Sequence, residues 1–239
     1  MKGFILALQF LTRLPTPRVQ VDDASFAQSM RWFPAVGVVI GGLVAAAAWA
    51  GAHADPWTGA LAGLLAWVLM TGALHLDGLA DLADASGAAH KDRERLLAVL
   101  ADPHVGSFGV VAIASQLIAK LVLVHAVVEQ GMILSLVLVP FAARIGPLAW
   151  ARWLPPLHQG LAARFASAIR PVDLAFWIAA LLASAGFVPA ILAAALLIGA
   201  WGIWLGRRIG GISGDGHGAG IELVETGLLI ALVIAGAAS

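Results

Sequence analysis

Apolar residues run along this chain in blocks close to twenty long, separated by short polar turns. Residues 33–54 and 56–76 contain no Asp other than the one in the turn between them, and no Glu, Lys or Arg. His53, Ala54, Asp55 and Pro56 form that turn. Residues 105–128 are apolar except for Lys120 and His125, and residues 130–150 except for Arg144. Residues 174–206 are uncharged, too long a stretch for one span and short for two, with Gly186 and Pro189 offering a reversal near the middle. Residues 218–238 close the series, with Glu222 and Glu225 near their start. A helix rises 1.5 Å per residue, so crossing a hydrocarbon core of about 30 Å takes roughly 20 apolar residues. The pattern predicts an all-α, polytopic integral membrane bundle. In residues 1–14, Phe4, Ile5, Leu8 and Leu11 share one helical face, Lys2, Gln9, Thr12 and Arg13 supply polarity, and Pro15 stops the helix. This segment reads as an N-terminal interfacial helix. It lacks a small-residue cleavage site, which argues against a signal peptide.

Basic residues in short loops set orientation. Arg13, Arg18 and Arg31 precede the first span; Lys91, Arg93 and Arg95 lie between the second and third; Arg152, Arg164 and Arg170 follow the fourth. Arg207 and Arg208 join the same side only if residues 174–206 cross twice. The expectation is therefore about seven spans with the basic loops in the cytoplasm. No internal repeat or linker is visible, so residues 1–239 read as a single domain.

Composition narrows the class. Hydrophobic residues make up 61% of the 239 and charged residues 12%, about half the ~25% of a soluble domain. The mean hydropathy is +0.92. With 14 basic and 14 acidic residues, the net charge is zero, and there is no electrostatic footprint for nucleic acid. Cysteine is absent, which removes disulfides, thiolate metal sites and cysteine nucleophiles.

Against that background the acids are unevenly placed. Seven of the 14 fall in three short segments, each read as lying at a span end beside a basic loop. In the first, Asp77, Asp81 and Asp84 stand at i, i+4 and i+7, on one helical face, beside the small residues Gly78 and Ala80. Three like charges on one face repel unless a cation or protons offset them, and carboxylates with water are the ligand set Mg²⁺ prefers. The alternative is a solvated polar helix end. In the second segment Asp102 is a candidate helix N-cap, and Gly106 and Gly109 would let a phosphate approach backbone N–H groups at the helix start. The alternative there is a capped helix with packing glycines. The third holds six glycines between Gly210 and Gly220, with Asp215 among them, followed by Glu222 and Glu225 at i, i+3. Such glycine density has an entropic cost and points to close approach of a ligand or helix, and the two glutamates are placed to complete a carboxylate cluster. The alternative is a re-entrant turn whose acids pair with Arg207 or Arg208.

Lys91, Arg93 and Arg95 read as a topology-setting loop that also has the geometry to bind a nearby pyrophosphate, since Arg forks match phosphate oxygens. His75, His104 and His217 each fall inside an acidic motif and are candidate phosphate donors or proton carriers. His53, His125 and His158 have no partner pattern and read as packing or interfacial residues, and the tryptophans as lipid anchors.

At these residues the chain resembles the adenosylcobinamide-GDP ribazoletransferase, or cobalamin synthase, family. The matching features are Phe10-Leu11-Thr12-Arg13-Leu14-Pro15, Phe33-Pro34 with Gly37, and Gly72 with His75-Leu76-Asp77-Gly78-Leu79-Ala80-Asp81 and Asp84. Asp102, Gly106 and Gly109 follow, then Gly214-Asp215, Gly218-Ala219 and Glu222-Leu223-Val224-Glu225. The resemblance covers residues 4 to about 225 in the family's order, and the Asp-rich motif is its most specific part. One departure is His104, where the family often carries Arg.

The resemblance implies an enzyme of the bacterial inner membrane with its active site facing the cytoplasm. It would join adenosylcobinamide-GDP to α-ribazole or its 5′-phosphate, giving adenosylcobalamin or its 5′-phosphate and GMP. Phosphoryl transfer needs charge neutralisation and in-line placement more than covalent help. Asp77, Asp81 and Asp84 are the expected Mg²⁺ ligands, with Glu222 and Glu225 for a second metal or the ribose. Asp84 or Asp215 is the expected proton acceptor, and His104 a further catalytic candidate. His75, Arg93, Arg95, Gly106, Gly109, Gly214 and Gly218 are expected to contact substrate. Partners are the lipid bilayer and the two substrates; a homo-oligomer is compatible with the sequence but not specified by it. Two competing classes are a secondary transporter with an acidic relay, which would place its acids near the midplane and often carry repeats, and a structural subunit, which needs no such clustered acids.

Overall fold

The computed structural model describes residues 2–88, 93–102, 104–157, 164–165 and 168–238, the side chains of Ala88 and Arg93 excepted. It is helical, with a lone parallel bridge between Pro156 and Ile212 among the described residues. Among the described residues the α-helices are, in order, α1 (Lys2–Leu11), α2 (Asp23–Ser29), α3 (Phe33–Ala52), α4 (Pro56–Thr71), α5 (Leu74–Ala88), α6 (Arg93–Leu100), α7 (Ser107–Glu129), α8 (Leu138–Ala143), α9 (Ile145–Trp153), α10 (Pro171–Ser184), α11 (Ala193–Arg208) and α12 (Gly214–Ala237).

The α3–α4 hairpin follows from its turn chemistry. Asp55 caps α4 by accepting from the backbone N–H groups of Trp57 and Thr58 at 2.9 and 3.1 Å, and Pro56 presets the first helical φ. Gly51 meets the Thr58 carbonyl so closely that a Cβ there would stand 2.6 Å away. At the other end α4 stops at Gly72, whose φ of +60° favours glycine; a side chain there would also strike Arg13. The Arg13 N–H donates to the Met70 carbonyl at 2.7 Å, tying the N-terminal segment to this corner. The chain then turns by 84°, so α5 leaves the spanning direction of α4 and lies against α7 and α12.

Among the described residues five stretches are long and apolar enough to cross a membrane: Asp23–Ala52, Ser107–Glu129, Ile133–Trp153, Pro189–Arg208 and Gly214–Ala237. The bent pair α4–α5 makes a sixth if counted as one broken span. The expected count of about seven is not confirmed. The reversal near Gly186 and Pro189 is present, but α10 before it has only 14 residues, about 21 Å of helix, short of the hydrocarbon thickness. Large apolar side chains project outward from these helices, among them Ile118, Leu196 and Phe187. The interior is packed around Trp150, Leu136, Leu148, Ile40 and Leu228. The buried face of α1 is Leu6, Ala7 and Leu11, so of the expected Phe4, Ile5, Leu8 and Leu11 only Leu11 is buried; Phe4 and Leu8 are partly buried against the core, and the helix meets α2 and α3.

Candidate active site

Two helices carry most of the predicted chemistry, and one glycine lets them touch. Gly78 on α5 packs on the first turn of α12, where an added Cβ would stand 2.9 Å from Asp215 Cα and 3.0 Å from its carbonyl oxygen. Gly218, one turn along α12, lies 3.4 Å from His75 on the same terms. The start of α12 is held by Ser213, whose hydroxyl accepts from the Gly216 N–H at 3.0 Å. Asp77 is exposed, Asp81 half-buried and Asp84 buried. Asp81 lies within electrostatic reach of Asp215, Asp77 and Asp84. Carboxylates 134 residues apart in sequence therefore share one field, as the acid pattern predicted for Asp77, Asp81 and Asp215.

Asp84 belongs to that field but not to the open face. Its two oxygens accept from the backbone N–H of Gly106 at 2.7 Å and Gly109 at 2.9 Å, at the start of α7. The expectation that these amides receive a substrate phosphate is corrected: the anion at this helix start is Asp84 itself. Side chains at Gly106 or Gly109 would collide with its carboxylate. Asp102 is not the cap of α7 either. It accepts from the backbone and ring nitrogens of His104, at 3.0 and 2.7 Å. His104 is exposed and outside the lining of the cavity described below.

Glu222 and Glu225 are also corrected as metal ligands. Both are buried, paired and turned into the bundle. Lys120 Nζ lies 2.7 Å from Glu222 and 2.6 Å from Glu225, and Arg144 Nη1 donates to Glu225 at 2.8 Å. Gln116 donates to the Glu222 carboxylate at 2.9 Å. Arg207 and Arg208 are not their partners. Two cations and two anions make a neutral cluster, which is what burial in a low-dielectric interior demands. Glu222 is about 12 Å along α12 from its start, so these acids are not at the span end. Sequence reasoning missed this cluster although its signal was present: Lys120 and Arg144 are the isolated charges in otherwise apolar spans.

A cavity of about 230 Å³ opens beside the Asp face. Phe10, Phe33 and Phe165 form an aromatic wall, Phe10 and Phe33 stacked with centroids 5.9 Å apart. His75, His217, Gly214, Gly218, Asp77 and Asp215 also line the cavity. Both histidines are buried; His75 Nε2 and both ring nitrogens of His217 lack a hydrogen-bond partner. His75 Nδ1 faces Arg144 Nη2 at 3.4 Å. Arg95 lies exposed on α6. Arg93 starts α6, and its side chain lies outside the described residues. Among the described residues no group of three or more His, Asp or Glu has the spacing to hold a metal ion.

Comparison with known proteins agrees with the reading of the motifs. The family model described as cobalamin-5-phosphate synthase matches residues 3–233. A protein of Novosphingobium aromaticivorans named adenosylcobinamide-GDP ribazoletransferase is 70% identical over 99% of this chain and 98% of its own. Relatives of the same name from Thiobacillus denitrificans and Brevibacillus brevis are 47% and 33% identical, over 96% and 98% of this chain and 94% and 98% of theirs. No solved structure matches the chain. With its Asp-bearing helix, its glycine-opened start of α12 and a match along nearly its whole length, the chain belongs to the cobalamin-5-phosphate synthase family.

Proposed function

We propose that the chain is an adenosylcobinamide-GDP ribazoletransferase acting at the cytoplasmic face of the bacterial inner membrane. The ribose 3′-hydroxyl of α-ribazole, or of its 5′-phosphate, attacks the phosphorus bonded to the corrinoid arm. A new P–O bond forms, the P–O bond to GMP breaks, and GMP leaves as the anion. The observation that carries this reading is the meeting of Asp77 and Asp81 with Asp215 across Gly78, beside a cavity, in a chain of this family. Arg207 and Arg208 end α11, directly before the segment that leads to Asp215, which supports the cytoplasmic orientation.

Asp77, Asp81 and Asp215 are the carboxylates that would contribute to holding Mg²⁺; their spacing does not form a three-ligand site by itself, so substrate phosphate oxygens and water would complete the set. They provide hard oxygen donors, and the crowding of negative charge around Asp81 calls for a compensating cation. The ion, when bound, would neutralise the diphosphate and the departing GMP. Asp84 is committed to the start of α7 and positions α5. Asp215, which lines the cavity, would accept the hydroxyl proton.

The test is an assay of purified protein in lipid with adenosylcobinamide-GDP, α-ribazole and Mg²⁺. Release of GMP in step with corrinoid product is expected, with loss of activity on chelation and a fall in kcat of at least about 10²-fold for Asp81→Asn, the scale of one electrostatic contact to a transition state. Parental turnover by a properly inserted Asp81→Asn variant would overturn the assignment of Asp81. Ion flux without GMP release would replace the transferase reading by a transporter.

A further inference from the structure

The cavity has features that phosphoryl transfer alone does not require. Its wall of Phe10, Phe33 and Phe165 is apolar and aromatic, yet His75 and His217 also line it, buried imidazoles with three ring nitrogens that have no partner. Buried polar groups are nearly always hydrogen-bonded, so two such histidines in one cavity point to a ligand with matching groups. The tautomer of one is set by its neighbour. Arginine has no acceptor, so the 3.4 Å approach of Arg144 Nη2 makes His75 Nδ1 the acceptor and leaves the hydrogen on Nε2. Arg144 is itself locked to Glu225 at 2.8 Å. At about 230 Å³ the space is smaller than a pocket for a drug-sized molecule, so it suits one ring system rather than a macrocycle or a whole nucleotide.

We propose that this cavity is the slot for the base of the acceptor: an apolar, planar bicyclic heterocycle whose unsubstituted ring nitrogen accepts a hydrogen bond from His75 Nε2–H. The proposal rests on the transferase reading and deepens it. A riboside whose base packs on the phenylalanines beside His75 would direct its sugar to Asp77 and Asp215, which line the same cavity. The guanine of the donor is the other heterocycle available. It carries several donors and acceptors on its edges, and burying them against three phenylalanines would leave most unpaired. A benzimidazole-type base has one acceptor, which matches the donor that Arg144 orients on His75. In this arrangement His75 binds the acceptor, and Arg144 is a positioning residue that acts through it.

The experiment compares α-ribazole with its indole analogue, in which the free ring nitrogen is replaced by C–H, in parent and His75→Leu protein in lipid nanodiscs. In the parent, kcat/KM for α-ribazole is expected to exceed that for the indole analogue by about tenfold, the effect of one lost hydrogen bond with an orphaned partner. In His75→Leu that ratio should fall to near one, with KM for adenosylcobinamide-GDP within about twofold of the parent. His75→Gln, which keeps a donor, should restore part of the preference. A ratio that survives in His75→Leu, or a rise confined to the KM of adenosylcobinamide-GDP, overturns the proposal. Calorimetric binding of α-ribazole to the same nanodiscs needs no turnover. If GMP release fails but α-ribazole binds and loses affinity in His75→Leu, the slot stands and the reaction reading falls; competition of α-ribazole by GMP at this site would assign the slot to guanine instead.

Discussion

Arg144 and Lys120 show what a charge does when the chain has no water to give it. Each stands alone in an apolar span, and each is paired with a glutamate from α12, more than 80 residues away in sequence. Removing one member leaves an uncompensated buried charge, whose cost is about 3–5 kcal/mol. Arg144→Met is therefore expected to lower stability by that amount, read as loss of the folded fraction in a detergent-stability or thermal assay. The double variant Arg144→Met with Glu225→Gln restores neutrality and should recover most of the loss; equal instability of single and double variants would show that packing, not charge, dominates.

Among elements, the decisive contact is that of α5 with the first turn of α12. It depends on a residue with no side chain: a Cβ on Gly78 would stand 2.9 Å from the backbone of Asp215, which cannot move without moving the helix. Gly78→Ala is expected to push the two helices apart and reduce kcat at least tenfold while leaving the protein folded and inserted. Measuring GMP release and melting temperature together checks this, and parental kcat would show that the spacing is not needed. The i, i+4, i+7 pattern of Asp77, Asp81 and Asp84 was legible as one helical face, and α5 places them so. The division of labour within the face was not. Asp84 faces the N–H groups of Gly106 and Gly109, and an i+7 spacing says nothing about a helix start more than 20 residues on. The same limit explains the span count. Hydropathy showed apolar runs, but the 84° corner at Gly72 and Ala73 and the short α10 depend on local dihedrals and packing.

For the whole molecule, the acid face joins segments from the middle and the end of the chain, so a cation shared between α5 and α12 would bind the folded state and not the unfolded one. Mg²⁺ is expected to raise the melting temperature with concentration, by about 2.7 kcal/mol of stability at 100 times its dissociation constant, and Asp81→Asn should blunt the response. An Mg²⁺-independent melting temperature in the parent would remove the ion from this site. Periodicity and composition alone determined the helical membrane class, because lipid forces backbone groups to be satisfied within helices and apolar runs reveal where those helices lie. They also determined which acids share a helical face, because 3.6 residues per turn is a local rule. Which acids stay open and which are neutralised was decided only by tertiary structure. Glu222 and Glu225 share a face with their neighbours on α12 just as Asp77 and Asp81 do on α5, but Lys120 and Arg144 arrive from other helices to quench them, and partners that close through space leave no spacing in sequence.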